Sequence, residues 1–217
     1  MSLIKKDFAI LDKLVFRELL YIPAVSFAFS KFGGLAYLMS IFFYTYAVLM
    51  DIFNKDDKNN AESIINSLPV RKVDIIKAKY SLIFIFVIIG NVVFFILNYI
   101  LSKMPIPYQY IHVSIPLVLL ATLYIVLFNS ICFPAFFKLG KDKAKQLDFI
   151  LFFVTFFGLP MLEKQMRNPS ILSIEKITDY FMSMSQVSFS LITVVLIIVI
   201  TIISGSLSLK LYSNREF

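Results

Sequence analysis

The chain has 217 residues, 59% of them apolar and only 16% charged, against roughly 25% charged in soluble domains. Several apolar runs are long enough to cross a bilayer, so the composition excludes an ordinary soluble domain and predicts an integral membrane protein. The net charge of +7 invites a nucleic-acid partner, but no RNP motif, zinc-finger spacing or basic-aromatic groove pattern is present, and no nucleic acid is expected.

Residues 3–18 set Leu3, Ile4, Phe8, Leu11, Leu14 and Val15 among charged neighbours. That is the pattern of an amphipathic helix lying on a membrane surface. Asp7 and Asp12 interrupt any candidate signal-peptide core, so no cleavable leader is expected. An apolar pair follows, about 14–31 and 33–52, broken by the SKFGG string at 30–34 and closed by Asp51. Its first half is short for a hydrocarbon core of about 30 Å, which requires Arg17 to snorkel at the interface.

Residues 54–79 form a polar stretch with a pattern of its own. Asn59 or Asn60 caps a short helix, Glu62 sits in its first turn, and Ala61, Ile64, Ile65 and Leu68 repeat at helical spacing. Pro69 ends that helix, because the residue before a proline is pushed out of the α region. Val70, Val73 and Ile76 then restart a stripe, with Arg71, Lys72, Lys77 and Lys79 on other faces. A short amphipathic helix, a bend and a second helix entering the bilayer are expected.

Four further spans are expected at about 80–102, 111–137, 147–162 and 187–209. The string KMPIP at 103–107 ends the first of these, and the basic connector KLGKDKAKQ at 138–146 precedes the third. Between the last two, Asn168 before Pro169 is a helix start. Ile171, Ile174, Ile177 and Phe181 then predict a surface helix within 163–186. Six spans put both termini on one side, with 16 of the 21 Lys and Arg residues there and 5 opposite; a five-span arrangement gives 12 against 9. The positive-inside rule therefore favours six spans with both ends and residues 54–79 cytoplasmic.

Catalytic signatures are missing. The chain has no GxxxxGK[ST] phosphate loop, no HExxH and no GxSxG. Cys132 excludes an intramolecular disulfide and reads as a buried hydrophobe. His112 reads as an interfacial ring rather than a metal ligand, so no catalytic, cofactor or metal site is expected. No ionisable group is expected in the middle of a span, which weakens an ion-coupled carrier. Asn91, Asn98 and Asn129 are the intramembrane amides, either bonding between helices or lining a pathway. A transporter of this composition needs its energy delivered from outside, through a cytoplasmic contact.

The order of these residues resembles the small six-span permease subunits of ABC-2 type exporters. Those carry an aspartate at the end of span two, then E-x-x-x-x-S-L-P-V-x-R/K leading to K-Y at the start of span three. Here the positions read Asp51, then Glu62 to Ser67, Leu68, Pro69, Val70, Arg71 and Lys72, and finally Lys79 and Tyr80. The resemblance implies an all-α membrane protein: one permease domain over 1–217, six transmembrane helices behind an N-terminal amphipathic helix, a type V exporter half-unit. It implies that Glu62, Ile64, Ile65, Leu68, Pro69, Val70, Arg71 and Lys72 form a coupling segment seated in a separate cytoplasmic ATPase subunit. That subunit, not this chain, binds ATP and Mg. A second permease chain, identical or related, completes the pathway. The Lys/Phe/Ile/Asn-rich composition is similar to Gram-positive exporters of amphipathic peptides, such as phenol-soluble modulins and some bacteriocins. The competing expectation is a non-transporting membrane immunity or sensor subunit that docks a signalling partner through residues 54–79.

Overall fold

The computed structural model describes residues 17–58, 71–139, 141–167 and 184–214. Within them every element is helical. In order they are α1 (Tyr21–Ala28), a 3-10 turn (Ser30–Phe32), α2 (Gly34–Lys58), α3 (Lys72–Lys103), α4 (Ile115–Leu139), α5 (Lys141–Arg167) and α6 (Gln186–Ser213). The expected surface helix at 3–18, apart from its last two residues, lies outside the described residues. So do the helix expected around 59–68 and most of the one expected within 163–186.

Among the described residues four helices, α2, α3, α4 and α6, are long and apolar enough to cross a membrane. The reason is continuous hydrocarbon: in lipid every backbone N–H must be satisfied within its own helix, and each of these runs carries 18 or more residues of high hydropathy. α1 is different. Its eight residues rise only about 12 Å, and a turn at Leu19–Leu20 separates it from Arg17 and Glu18. The first expected span is thus represented by a short helix folded against its successor. α5 has 27 residues and begins at Lys141, so the basic connector expected before it is already helical there.

α2 is the centre of the bundle. Two thirds of its apolar window (67%) is buried, against 17% for α6. Tyr37, Ile41, Tyr44, Val48 and Ile52 recur along one face and are all buried, the spacing of a helix stripe turned inward. α1, α3 and α4 all contact α2, while α4 and α6 form the most extensive helix pair. α5 reaches α2 through rings: Phe152 lies 5.2 Å from Phe43 and 4.6 Å from Tyr46, centroid to centroid. Opposite faces of α5 and α6 expose Phe149, Phe153, Phe157, Leu191, Val195 and Ile202, as a lipid solvent requires.

Glycine sets the α2–α3 distance. A Cβ on Gly90 would stand 2.8 Å from Cδ1 of Tyr44, so only a hydrogen lets that ring lie against the α3 backbone. Gly33, at φ +55, turns the chain from the 3-10 segment into α2.

One end of the bundle collects the basic residues. The end of α2, the start of α3, the end of α4 and the end of α6 meet there, as Phe53–Phe136, Tyr80–Phe133 and Phe137–Tyr212 ring contacts show. Lys55, Arg71, Lys72, Lys77, Lys79, Lys138 and Lys210 lie at this end. Lys31 and Lys103 lie at the other.

Candidate coupling site

The segment 59–70 lies between α2 and α3, and the start of α3 is held to its neighbours. Glu62, Ile64, Ile65, Leu68, Pro69 and Val70 lie outside the described residues. Arg71 and Lys72 open the described part of α3. Arg71 is exposed and has extended backbone, φ −70 and ψ 136, as the residue before the helix. The ammonium of Lys72 lies 3.4 Å from the carbonyl of Tyr212, 3.5 Å from that of Ser213 and 5.4 Å from the centre of the Tyr212 ring. A cation at the C-terminus of α6 meets the negative end of that helix dipole and carbonyls with no intrahelical donor. The first turn of α3 is thereby tied to the last turn of α6.

Two turns further on, Lys79 and Tyr80 tie α3 to the other helices. Lys79 is buried, with its ammonium 5.4 Å from the centre of the Phe53 ring. Phe53 in turn stacks on Phe136 at 4.6 Å with an interplanar angle of 3°. Tyr80 packs edge-on against Phe133 at 5.0 Å, and its hydroxyl shares hydrogen bonds with Ser204 (2.5 Å) and Ser208 (3.0 Å). Ser204 Oγ also donates to the backbone carbonyl of Ser130 at 2.9 Å. Pro134 sits inside α4, four residues after Ser130. Lacking an N–H, it leaves the Ser130 carbonyl without its helical donor. A serine from α6 replaces that donor, which is how proline breaks are tolerated in lipid.

Two turns before the end of α2, Asp51 accepts from Arg17 at 3.0 Å, and Arg17 also pairs with the buried Glu18 at 2.6 Å. The aspartate named in the sequence pattern therefore holds the chain that leads into α1. Arg17, expected to snorkel, has 62% of its side chain exposed and spends its charge on these two carboxylates.

The three intramembrane amides have separate positions. Asn91 accepts from the hydroxyl of Tyr37 on α2 and donates to the Val87 carbonyl, so it bonds between helices. Asn129, buried in α4, donates to Ile125 one turn back at 2.8 Å. Asn98 does something else. It donates to the Ile111 carbonyl (2.9 Å) and accepts from the Ile111 N–H (3.2 Å) and the Tyr108 hydroxyl (2.8 Å). It pins the loop between α3 and α4, which is why α4 begins at Ile115, after the apolar run starting at 111 has already begun. Burial holds the Tyr108 hydroxyl protonated by pushing its pKa up.

No ionisable group is expected in the middle of a span, and Asp148, at the edge of one, falls outside that expectation. This residue, second in the fifth apolar run, is only 2% exposed and accepts from the Tyr46 hydroxyl at 2.8 Å. Seven residues into α5, it faces the bundle rather than the basic end. Its place at the edge of a charged connector hid it in the sequence; a single carboxylate bracketed by Leu147 and Phe149 was the available signal. The hydroxyl network of Tyr80, Ser204 and Ser208 was also missed, and Pro134 within an apolar run was its signal.

These helices define an all-helical, multi-pass membrane protein with no metal-binding cluster among the described residues. A family model described as ABC-2 family transporter protein matches residues 2–213, and the chain belongs to that family. Such permeases are membrane components of transport systems rather than catalysts, and the family generally works with an ATPase partner in a dimeric arrangement. No curated protein and no solved structure matches the chain.

Proposed function

We propose that this chain is the membrane-spanning permease subunit of an ABC exporter, crossing the cell membrane of a bacterium six times with both termini cytoplasmic. A separate ATPase subunit binds ATP and Mg and seats the segment from Glu62 to Lys72. Two permease chains form the pathway, and the cargo is hydrophobic or amphipathic, peptides first. The observation that carries the reading is the family match over nearly the whole chain. The geometry agrees with it mechanically. Force applied to residues 59–70 enters α3 at Arg71 and meets Lys72, bonded to α6, Lys79, stacked on Phe53 of α2, and Tyr80, which packs on Phe133 of α4 and bonds to Ser204 of α6. A rigid α3 would carry such a push into α2, α4 and α6 together.

The test is co-expression with a candidate ABC ATPase subunit from the same organism. Ile64→Asp and Leu68→Asp are expected to abolish co-purification and peptide-stimulated ATP hydrolysis while the permease still inserts. A complex that survives both substitutions, or cysteine labelling of residues 62–68 from outside the cell, overturns the coupling reading. Stimulation by apolar molecules other than peptides overturns the cargo.

A further inference from the structure

We propose that the groove between α3 and α6 at the basic end is a binding site for an anionic phospholipid. The groove encloses about 300 Å³ and is lined by Val73, Ile76, Lys77, Tyr80, Thr201, Ile202, Gly205, Ser206 and Leu209. Its chemistry is split along its length. Lys77, exposed on the second turn of α3, places one ammonium in the wall. Arg71 and Lys210, both exposed, flank it at the same end of the two helices. Beyond Lys77 the wall is mostly hydrocarbon, interrupted by Tyr80, Thr201 and Ser206. The hydroxyls of Tyr80 and Thr201 face it already engaged, with Ser204 and Ser208 and with the Ile197 carbonyl respectively. A polar ligand therefore finds few partners there, whereas an acyl chain finds methyl groups.

Charge complementarity chooses the occupant. A headgroup phosphate placed at Lys77 meets the cation where the apolar span gives way to the charged first turns of α3, the depth at which phospholipid headgroups lie. Each basic side chain near such a surface favours an anionic over a zwitterionic lipid about fivefold. A second copy related by symmetry would bring its own Lys77 and Lys210 to the same place, and the chain carries a net charge of +7. Gly205 keeps the groove open: a Cβ there meets no atom of the described residues within 4 Å, so none of them fills the space beside it. The bound lipid would join α3 to α6 next to the Lys72 and Tyr80 contacts. This site requires only that the protein sit in a membrane, so it stands or falls independently of the exporter reading.

The chain has no tryptophan, which makes a single introduced one an unambiguous reporter. The full-length Ile202→Trp variant in phosphatidylcholine vesicles is quenched with a minor fraction of brominated phosphatidylglycerol, or with the same fraction of brominated phosphatidylcholine. Ile198→Trp, one turn away and outside the lining, is the control. At position 202 the anionic lipid is expected to quench about fivefold more effectively, and adding Lys77→Gln should erase the difference. Adding Gly205→Leu, which fills the void without a backbone clash, should reduce quenching by both lipids to the level at position 198. Equal quenching by the two lipids at position 202 in the parent protein overturns the proposal, because the groove then meets bulk lipid only. Absence of quenching by either lipid overturns it as well, since a segment of the protein itself then fills the groove.

Discussion

The hydroxyl of Ser204 on α6 donates to the carbonyl of Ser130 on α4 at 2.9 Å, and it does so because Pro134 has removed that carbonyl's own helical donor. α4 and α6 are the most extensively packed pair in the bundle, and this bond sits inside their interface. Tyr80 of α3 joins the same serine. One backbone vacancy in α4 thus organises three helices around a single hydroxyl.

Ser204→Ala is expected to cost about 0.6 kcal/mol, the average for interhelical hydrogen bonds in membranes, and at most about 1.7 kcal/mol. The cost should shrink in a Pro134→Ala background, because an alanine N–H at 134 restores a donor to Ser130. A double-mutant cycle on unfolding in mild detergent measures that coupling directly. Strictly additive effects would mean that the serine does not act through the freed carbonyl.

The contact between Tyr44 and Gly90 is a steric limit on α2 and α3. Gly90→Ala places a methyl 2.8 Å from the ring, and overpacking of this kind costs about 1–3 kcal/mol. Tyr44→Leu should relieve the clash, so the double variant is expected to be more stable than Gly90→Ala alone. The Tyr44 hydroxyl has no hydrogen-bond partner among the described residues, and Tyr44→Phe should accordingly be neutral or slightly stabilising. Thermal inactivation of the purified protein reads all three.

Long apolar runs made α2, α3, α4 and α6 legible in the sequence, since a helix satisfies some twenty consecutive backbone amides within its own segment, away from lipid. α1 was less so. Its apolar residues look continuous with what precedes them, but a turn at Leu19–Leu20 and the Arg17–Asp51 pair are tertiary choices that periodicity does not encode. The Lys79–Tyr80 string was legible as a family pattern, not as a mechanical joint, because its partners Phe53, Phe133 and Ser204 come from three distant segments. Asn98 was legible as a polar residue in a span. Its role depended on a loop whose PIP string suggested only termination.

Asn98 satisfies three groups at once, so its replacements should separate by chemistry. Asn98→Leu removes every bond to Tyr108 and Ile111, leaving buried groups unpaired at about 1–3 kcal/mol each. Asn98→Asp keeps an acceptor for the Tyr108 hydroxyl and the Ile111 N–H but loses the donor to the Ile111 carbonyl. Hydrogen exchange at the Ile111 amide is therefore expected to accelerate strongly in the leucine variant and weakly in the aspartate variant. Equal protection in both would show that the loop is held by something other than this side chain.

Asp148 and Tyr46 give the last prediction. The hydroxyl of Tyr46 donates to the carboxylate oxygen Oδ2 of Asp148 at 2.8 Å, and its ring stacks on Phe152 one turn along the same helix. α5 is therefore fixed to α2 by one polar bond beside an aromatic ladder. Asp148→Asn keeps an acceptor of the same shape and is expected to change stability little. Asp148→Leu strands the tyrosine hydroxyl and should cost about 1–3 kcal/mol. Replacing both partners, with Asp148→Leu and Tyr46→Phe together, removes the stranded group and should recover most of that loss. Cysteine cross-linking between the α5 start and the end of α2, followed with temperature, measures the docking of α5 itself. If the double variant is no better than Asp148→Leu alone, the carboxylate holds α5 through a partner other than Tyr46.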